Sequence, residues 1–343
     1  MRAAPKAELH LPLEGTIRPP TLLELARRNG VALPHDTVDG LREWFRFTDF
    51  RQFLEVYRVV CACLRTADDF ELVAYELAAE LAAQNRRDAE ITFTACVHER
   101  NGVPEADFRR GLRRARERAR TALGVELAWI FDISRAMRGA EAETTRWAAY
   151  TVEVAIDAMK EGVVALGLGG PEAGYPPEPF APFFTRGRTA GLHSVPHAGE
   201  HLGPSSIRGA LNALGAERIA HGVRALEDAT LVAELAERRI ALDICPTSNV
   251  CLGVCESLAR HPLARLHARG VTMTVNSDDP ALFDTTLSDE VMTLADPLGL
   301  GVAAIDEILV NGITHSFLPE PRKREMEAAF RAELARLKAL HLG

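Results

Sequence analysis

Eight short apolar runs recur along the chain, each bounded by turn residues and followed by a segment with helical periodicity. Most of these runs are apolar throughout rather than alternating, which is typical of strands that are covered on both faces. They cover residues 6–13, 89–97, 126–134, 163–170, 193–200, 217–224, 240–248 and 271–279. Strand and helix that alternate eight times imply right-handed parallel crossovers, and eight such units close into a barrel. We therefore predict an α/β fold, a (β/α)8 TIM barrel.

The segments between the runs include several predicted helices. Residues 66–85 and 104–124 are amphipathic, and residues 320–340 form a charged amphipathic pattern that is typical of a packing helix with a solvated face. Residues 17–88 are too many for one crossover, so we predict extra helices after the first strand, as a helical cap insertion near the barrel mouth. A barrel with this insertion accounts for residues 1–343 as a single domain.

Composition excludes several classes of protein. Forty Lys and Arg against 48 Asp and Glu leave a net charge of −8, which argues against a nucleic-acid partner. No run of about 18 uncharged apolar residues occurs, and the N-terminal region has no apolar core of a secretory signal, so we expect no membrane partner. The six cysteines are few for this length, and we expect free thiols. These features together predict a cytoplasmic protein.

Polar side chains follow the carboxyl ends of four predicted strands. They are His10 and Glu14, His197 and Glu200, His221, and Asp278 with Asp279. Each of them alone is more often a structural histidine, a turn or a helix cap. Because the carboxyl ends of barrel strands converge on one face, their joint occurrence predicts a site.

Two imidazoles and a carboxylate from separate strands hold zinc while leaving a position open for water. His10, His197 and Asp278 provide such a set, with one Zn²⁺ per chain. Bound zinc lowers the pKa of water and makes a nucleophile available near neutral pH. In this interpretation Glu200 transfers protons, and the His221 and Asp279 side chains orient the attacking group.

Seven segments of the chain, taken together, resemble the adenosine deaminase family of the amidohydrolase superfamily. They are PKAELHLPLEGT (5–16), FTDFRQFLEVY (47–57), GLGGPE (167–172), SVPHAGE (194–200), ERIAHGVRA (217–225), CPTSNV (245–250) and VNSDDPALF (275–283). In this family a zinc-activated water adds to C6 of a 6-aminopurine, ammonia leaves and a 6-oxopurine forms. The resemblance implies a hydrolase that acts on a C–N bond of a cyclic amidine.

The resemblance also implies a role for each matching residue. His197 and Asp278 correspond to metal ligands, and Glu200 to the acid/base that protonates N1 of the purine. The pair that activates the nucleophile corresponds to His221 and Asp279. Two further residues match substrate-binding positions: Gly170, whose backbone contacts the purine, and Glu14, which reaches a ribose hydroxyl. A helical cap after the first strand is a family feature as well.

The first strand departs from the family pattern at one metal ligand. The family has His-x-His there, whereas this chain has His10-Leu11-Pro12, and proline offers no donor atom. One interpretation is a zinc site with the three ligands named above. A second is a metal-poor, catalytically impaired relative that binds purine nucleosides, and a third is a different metal or hydrolysis. A replacement ligand could come from His201, whereas His193 lies about 13 Å along the strand from His197 and cannot share the ion.

The predicted substrate is a small-molecule 6-aminopurine. Family members act on adenosine and deoxyadenosine, on aminofutalosine, or on free adenine. The acid at Glu14 favours a nucleoside, with adenine as the alternative. The loop beside the purine pocket reads GGPE (169–172) where AGDE is more usual, and Pro171 removes a backbone donor there. The sequence does not indicate an oligomeric state.

Overall fold

The computed structural model describes residues 1–47, 49–136 and 141–341. Eight parallel strands follow one another around a single sheet in the order β1 to β8. They are β1 (Lys6–Pro12), β2 (Arg86–Phe93), β3 (Glu126–Ser134), β4 (Val163–Gly169), β5 (His193–Ala198), β6 (Arg218–His221), β7 (Ala241–Ile244) and β8 (Met273–Val275). Helices surround this nearly closed barrel, which confirms the predicted (β/α)8 TIM barrel.

The helices of the described residues fall into the segments between the strands. Between β1 and β2 lie α1 (Pro19–Asn29), α2 (Val38–Trp44), α3 (Phe50–Ala62) and α4 (Ala67–Ala83). The next segments carry α5 (Ala95–Arg100), α6 (Glu105–Arg118), α7 (Glu141–Asp157), α8 (Ala181–Ala190), α9 (Pro204–Ala213) and α10 (Ala229–Arg238). The remaining helices are α11 (Pro246–Cys251), α12 (Leu263–His267), α13 (Leu287–Ala295), α14 (Val302–Thr314) and α15 (Glu320–His341). Four helices, α1 to α4, therefore occupy the region that was predicted to carry extra helices after the first strand.

Local signals explain where the predicted helices begin and end. Thr66 starts α4 with a reciprocal capping box, in which its side chain and that of Asp69 each accept from the other's backbone N–H. The helix α6 packs closely against α4 at Gly111, where an added Cβ would lie 2.4 Å from the Ala67 carbonyl oxygen. The predicted helix 104–124 is regular to Arg118 and ends in a wider helical turn. No described helix combines the length and apolar character needed to cross a bilayer.

The last strands are shorter than the apolar runs predict. The runs 240–248 and 271–279 shrink to Ala241–Ile244 and Met273–Val275, because the polar residues at their carboxyl ends leave the sheet. Asp278 has a φ of 60°, which a regular strand does not allow. Apolar runs alone did not mark these strand ends.

A side chain joins the first and last strands of the barrel. The Asn276 amide oxygen accepts hydrogen bonds from the backbone N–H groups of Leu9 (2.8 Å) and His10 (3.2 Å). Its amide nitrogen donates to the Thr274 hydroxyl at 2.9 Å. All of these groups are buried, so the side chain satisfies backbone donors that would otherwise have no partner at this seam.

Buried ion pairs fill the barrel interior at the opposite end from the predicted site. The guanidinium of Arg218 pairs with Glu90 (2.6 Å) and Asp243 (3.0 Å), and all three side chains are buried. The segment after α14 covers this end, where the Phe317 ring lies over the Arg218 guanidinium. Because these charges satisfy one another, the amino end of the barrel is a structural layer and the carboxyl end is left for chemistry.

We expect the substitution Asn276→Ala to lower the free energy of unfolding by about 2–4 kcal/mol, because it leaves two buried N–H groups without an acceptor. Denaturant unfolding followed by circular dichroism measures this difference. Asn311→Ala is the control, since it removes one hydrogen bond to the Met273 carbonyl of the same strand and leaves the seam intact. Equal destabilisation by the two variants would contradict the role of Asn276.

Candidate active site

The carboxyl ends of the strands bring three histidines and a carboxylate together. One ring nitrogen from each of His10, His197 and His221 lies within 4.8 Å of the others. Nε2 of His10 is 3.1 Å from Oδ1 of Asp278, which follows β8. Residues separated by more than 260 positions thus share one buried cluster, as convergence in a barrel predicts.

The donor atoms of this cluster fit a divalent metal ion. Nδ1 of His197 is buried and makes no hydrogen bond to any described residue, and the buried Nε2 of His10 has only the Asp278 carboxylate beside it. Imidazole nitrogens next to a carboxylate are the donors that zinc prefers, and buried nitrogens without partners are costly unless something binds them. His10 belongs to two candidate metal-binding groups, one with His197 and His221 and one with Cys245 and Asp278.

Pro12 lies at the end of β1, in register with Thr92 of β2, and its ring forms part of the cavity wall beside the cluster. The position that carries a second histidine in the family pattern therefore faces the cavity here without a donor atom. The β1–β2 ladder is irregular just before this residue, between Glu8 and Leu11, and strand prolines occur at such irregularities.

Asp278 is held in place from two sides. The Ser248 hydroxyl donates to its Oδ2 at 2.6 Å, and His10 lies against its Oδ1. Although burial opposes ionisation, the neighbouring His10 and His221 and the Ser248 hydroxyl together lower the pKa of Asp278. The residue is therefore a carboxylate, the form that binds a metal ion.

Two residues of the cluster have left-handed backbone conformations. The φ angles are 60° for Asp278 and 64° for His221. For residues other than glycine this region costs of order 1 kcal/mol or more, and such strain concentrates at functional sites. The hydrogen bonds of Asp278 with Ser248 and of His221 with Asn249 accompany this strained backbone.

Asp279 lies against the backbone of Gly15. A Cβ atom at Gly15 would be 1.8 Å from Oδ1 of Asp279, so only glycine permits this approach. This oxygen is buried and has no hydrogen-bond partner among the described residues. Burial, together with the charges of Asp278 and Glu14, raises the pKa of Asp279 well above its usual value. The two adjacent aspartates thus differ in their tendency to ionise.

Glu200 stands between two histidines. Its Oε1 is 3.8 Å from Nε2 of His221, and its Oε2 is 3.2 Å from Nδ1 of His201. Burial favours the neutral acid, but the nearby His221 and His201 outweigh it and lower the pKa of Glu200 to about 2. The group is therefore ionised, and it lines the cavity as a carboxylate.

The buried carboxylate of Glu172 organises the loop that carries Glu200. It accepts hydrogen bonds from the backbone N–H groups of Gly199, Glu200, His201 and Leu202, and from the Ser206 hydroxyl. The shortest backbone bond is 2.7 Å, from His201. Concentrating several donors on one carboxylate holds this loop rigidly at the end of β5.

Glu14 does not line the cavity in the described part of the chain. Its Oε1 is 2.6 Å from Nε2 of His98, and its Oε2 accepts from the Tyr57 hydroxyl at 3.0 Å. The side chain is fully buried, and Tyr57 stands on the cavity wall instead. The acid expected to meet a ribose hydroxyl therefore already has a partner on each oxygen.

A cavity of about 620 Å³ opens above the cluster. The turn after β4 contributes Gly170, whose φ of 95° requires glycine and leaves its backbone accessible at the wall. Asp132, from the end of β3, is on the wall as well, and burial raises its pKa to about 7. The cavity size is typical of a small-molecule site.

The two histidines considered as replacement ligands lie apart from the cluster. Nδ1 of His193 is 2.9 Å from Glu217, and its ring stacks on Phe317 at the amino end of the barrel. The His201 ring packs on Phe50, with Nδ1 turned toward Glu200. Neither belongs to the group formed by the three clustered histidines.

Sequence reasoning missed several residues that surround the cluster. They are Asp132, Arg135, Glu172, Ser248, Asn249 and His261. Asp132 sits at a strand end, the position that marked the other site residues, so the same signal could have found it. Arg135 donates to the backbone carbonyls of Tyr175 and His197, and no local sequence pattern predicts these two hydrogen bonds.

The chain is similar throughout its length to known deaminases. The adenosine deaminase family model matches residues 5–331. Aminodeoxyfutalosine deaminase of Streptomyces coelicolor is 41% identical over 93% of this chain and 81% of its own length. Adenine deaminase of Cupriavidus taiwanensis is 39% identical over 96% of this chain and 92% of its own length.

Solved structures give the same result. The adenine deaminase from Arthrobacter aurescens superposes with a TM-score of 0.90 at 35% identity, covering 98% of this chain and 99% of that one. An amidohydrolase from Burkholderia ambifaria with bound Zn has a TM-score of 0.90 at 26% identity, covering 99% and 93%. The chain therefore belongs to the adenosine deaminase family, and it is a hydrolase of C–N bonds that deaminates its substrate.

Proposed function

We propose that the chain is a zinc-dependent deaminase of a 6-aminopurine nucleoside, with the zinc held by His10, His197 and Asp278. The observation that carries this proposal is that His10 lies close to both His197 and Asp278, next to the cavity that Glu200 and Asp279 line. The solved relative with bound Zn supports the choice of metal. Three protein ligands with an open position are sufficient for catalytic zinc.

The side chains around the cluster have separate roles in the proposed reaction. When bound, zinc supplies the Lewis acidity that lets water act as a nucleophile near neutral pH. Glu200 takes up the proton that the attacking water loses and passes it to N1 of the purine, which makes C6 electrophilic. His221 and Asp279 hold the attacking water, and the Gly170 backbone contacts the purine ring. Ammonia then leaves, and the 6-oxopurine is the product.

The cavity supports a substrate larger than a free base. It extends from the cluster to residues of α3 and α5, and its lining includes Arg58 and Arg100. A volume of about 620 Å³ leaves room for a sugar and a further substituent. Because the aminodeoxyfutalosine deaminase relative is 41% identical, we propose aminodeoxyfutalosine first and adenosine or deoxyadenosine next.

Adenine is the second candidate, and one observation favours it. Both oxygens of Glu14 are occupied by His98 and Tyr57, so no acid is free at the position that would meet a ribose hydroxyl. The adenine deaminase relatives are nearly as similar as the first one. The two candidates differ in whether the sugar contributes to binding.

Substitution of Glu200 by Gln removes the proton donor and leaves the proposed zinc ligands in place. We expect kcat to fall by about 10²–10⁴-fold on the best substrate, with zinc content unchanged. Ammonia release and elemental analysis measure the two quantities. Glu217→Gln, at the amino end of the barrel, is the control with normal activity. A Glu200→Gln enzyme of full activity would refute the assigned role.

A substrate panel separates the candidates. We expect kcat/KM for aminodeoxyfutalosine, adenosine or deoxyadenosine to exceed that for adenine by at least about tenfold, because the cavity can contact the sugar as well as the base. Initial rates of ammonia release with each compound give the order. A preference for adenine would instead identify the protein as an adenine deaminase, the second candidate.

Pro12→His places an imidazole on the cavity wall beside the proposed zinc ligands. We expect the affinity for zinc to rise by about tenfold or more, while kcat at saturating zinc changes by less than about tenfold. Chelator competition and steady-state kinetics measure these effects.

A gain of several orders of magnitude in kcat would instead identify the natural chain as an impaired relative. Saturable purine binding without turnover, in a chain that retains almost no zinc, would lead to the same conclusion.

A further inference from the structure

A chain of three buried hydrogen bonds runs from a backbone amide to His221. The N–H of Leu263 donates to Nδ1 of His261 at 3.1 Å. Nε2 of His261 is 3.1 Å from the amide oxygen of Asn249, and the amide nitrogen of Asn249 is 3.2 Å from Nδ1 of His221. The side chains of His261, Asn249 and His221 are all buried.

The direction of each hydrogen bond follows from the first. A backbone N–H can only donate, so Nδ1 of His261 is an acceptor and its proton is on Nε2. Burial, with the nearby His221, lowers the pKa of His261 to about 4, which keeps the ring neutral. Nε2–H then donates to the Asn249 oxygen, and this turns the Asn249 NH₂ group toward Nδ1 of His221.

We propose that Leu263 N–H, His261 and Asn249 form a tautomer relay that fixes His221 with its proton on Nε2. The Asn249 NH₂ group can only donate, so Nδ1 of His221 must accept. His221 is therefore a hydrogen-bond donor toward the cavity rather than a third imidazole ligand. The catalytic consequence of the relay rests on the proposed deaminase function, whereas the tautomer itself does not.

The surroundings of Nε2 agree with a donor. This atom is 3.8 Å from Oε1 of Glu200 and 4.0 Å from Oδ2 of Asp278, so two carboxylates face it. A metal ion at Nε2 would need the proton on Nδ1, where the Asn249 NH₂ group opposes it. The relay thus distinguishes His221 from the other two histidines, although all three lie within 4.8 Å.

The backbone of α11 positions the relay. Asn249 donates its N–H to the Cys245 carbonyl and accepts from the Cys255 N–H at 2.8 Å, so its backbone is held at both polar groups. The preceding residue, Ser248, donates to Asp278. Two successive residues of one short helix therefore orient a proposed ligand and a proposed donor. Asn249 and His261 are positioning residues, because neither lines the described cavity.

Nitrogen NMR of the zinc-loaded protein labelled with ¹⁵N-histidine tests the tautomer directly. The His221 signals are identified by their loss in His221→Gln. We expect a protonated Nε2 and an unprotonated Nδ1 for both His221 and His261. A protonated Nδ1 on His221 would overturn the proposal, and this readout is independent of turnover.

Asn249→Asp tests the effect on the reaction. A carboxylate accepts from both histidines, so it moves the His221 proton to Nδ1. We expect kcat to fall on the order of 10²–10⁴-fold with KM within a few-fold, because Asn249 does not touch the cavity. The matched control is Asn311→Asp, which also loses one amide donor but lies on α14, where Asn311 donates to the Met273 carbonyl of β8. A loss of kcat no greater than in this control would overturn the catalytic role.

Two variants of His261 keep the proposal testable if Asn249→Asp does not fold. His261→Gln retains a donor toward Asn249, and we expect kcat within about tenfold of the original. His261→Leu removes the donor, and the His221 NMR signals should then show both tautomers. Equal NMR spectra and equal kcat in the two variants would contradict the relay. If the original chain is inactive on all purines, the proposed function fails while the NMR result still decides the tautomer.

Discussion

Closure of the barrel between its last and first strands is the constraint on which the site depends. The Asn276 side chain makes this closure with the backbone of Leu9 and His10. One of the bonded residues is a proposed zinc ligand, and another proposed ligand, Asp278, follows Asn276 by two positions. The seam that completes the fold is therefore also the place where the two ends of the chain form a buried pair. Stability and the geometry of the site are linked through the same few hydrogen bonds.

Buried polar groups at the carboxyl end of the barrel are held by hydrogen-bonded neighbours rather than by solvent. Glu172 gathers the N–H groups of the loop after β5, and Ser248 holds Asp278. In a buried environment an oriented dipole favours one protonation state or one tautomer over another. Neighbouring charges act in the same way, so Asp278 beside His10 and Asp279 beside Glu14 ionise differently, and three clustered histidines need not share one role.

Much of the fold could be predicted, because parallel buried strands leave a distinct pattern of short apolar runs. The convergence of His10, His197 and Asp278 follows from barrel geometry once eight strands are recognised. Glu14 shows the limit of this reasoning, since its partners Tyr57 and His98 come from α3 and α5. Tyr57 ends one of the family-like segments, but nothing in that segment indicates a contact with Glu14. The ends of β7 and β8 were also misplaced, because an apolar run does not show where the backbone leaves the sheet.

The sequence by itself determined the barrel, the family and the residues that stand at the strand ends, since each depends on local pattern or on short motifs. It also placed proline at position 12, which removes a donor whatever the fold. Only the tertiary structure decided which atoms of those residues are free and which are already bonded. That information depends on contacts between distant segments, such as His261 with Asn249 and Glu172 with the loop after β5. The spacing of residues along the chain does not show which group donates and which accepts in these hydrogen bonds.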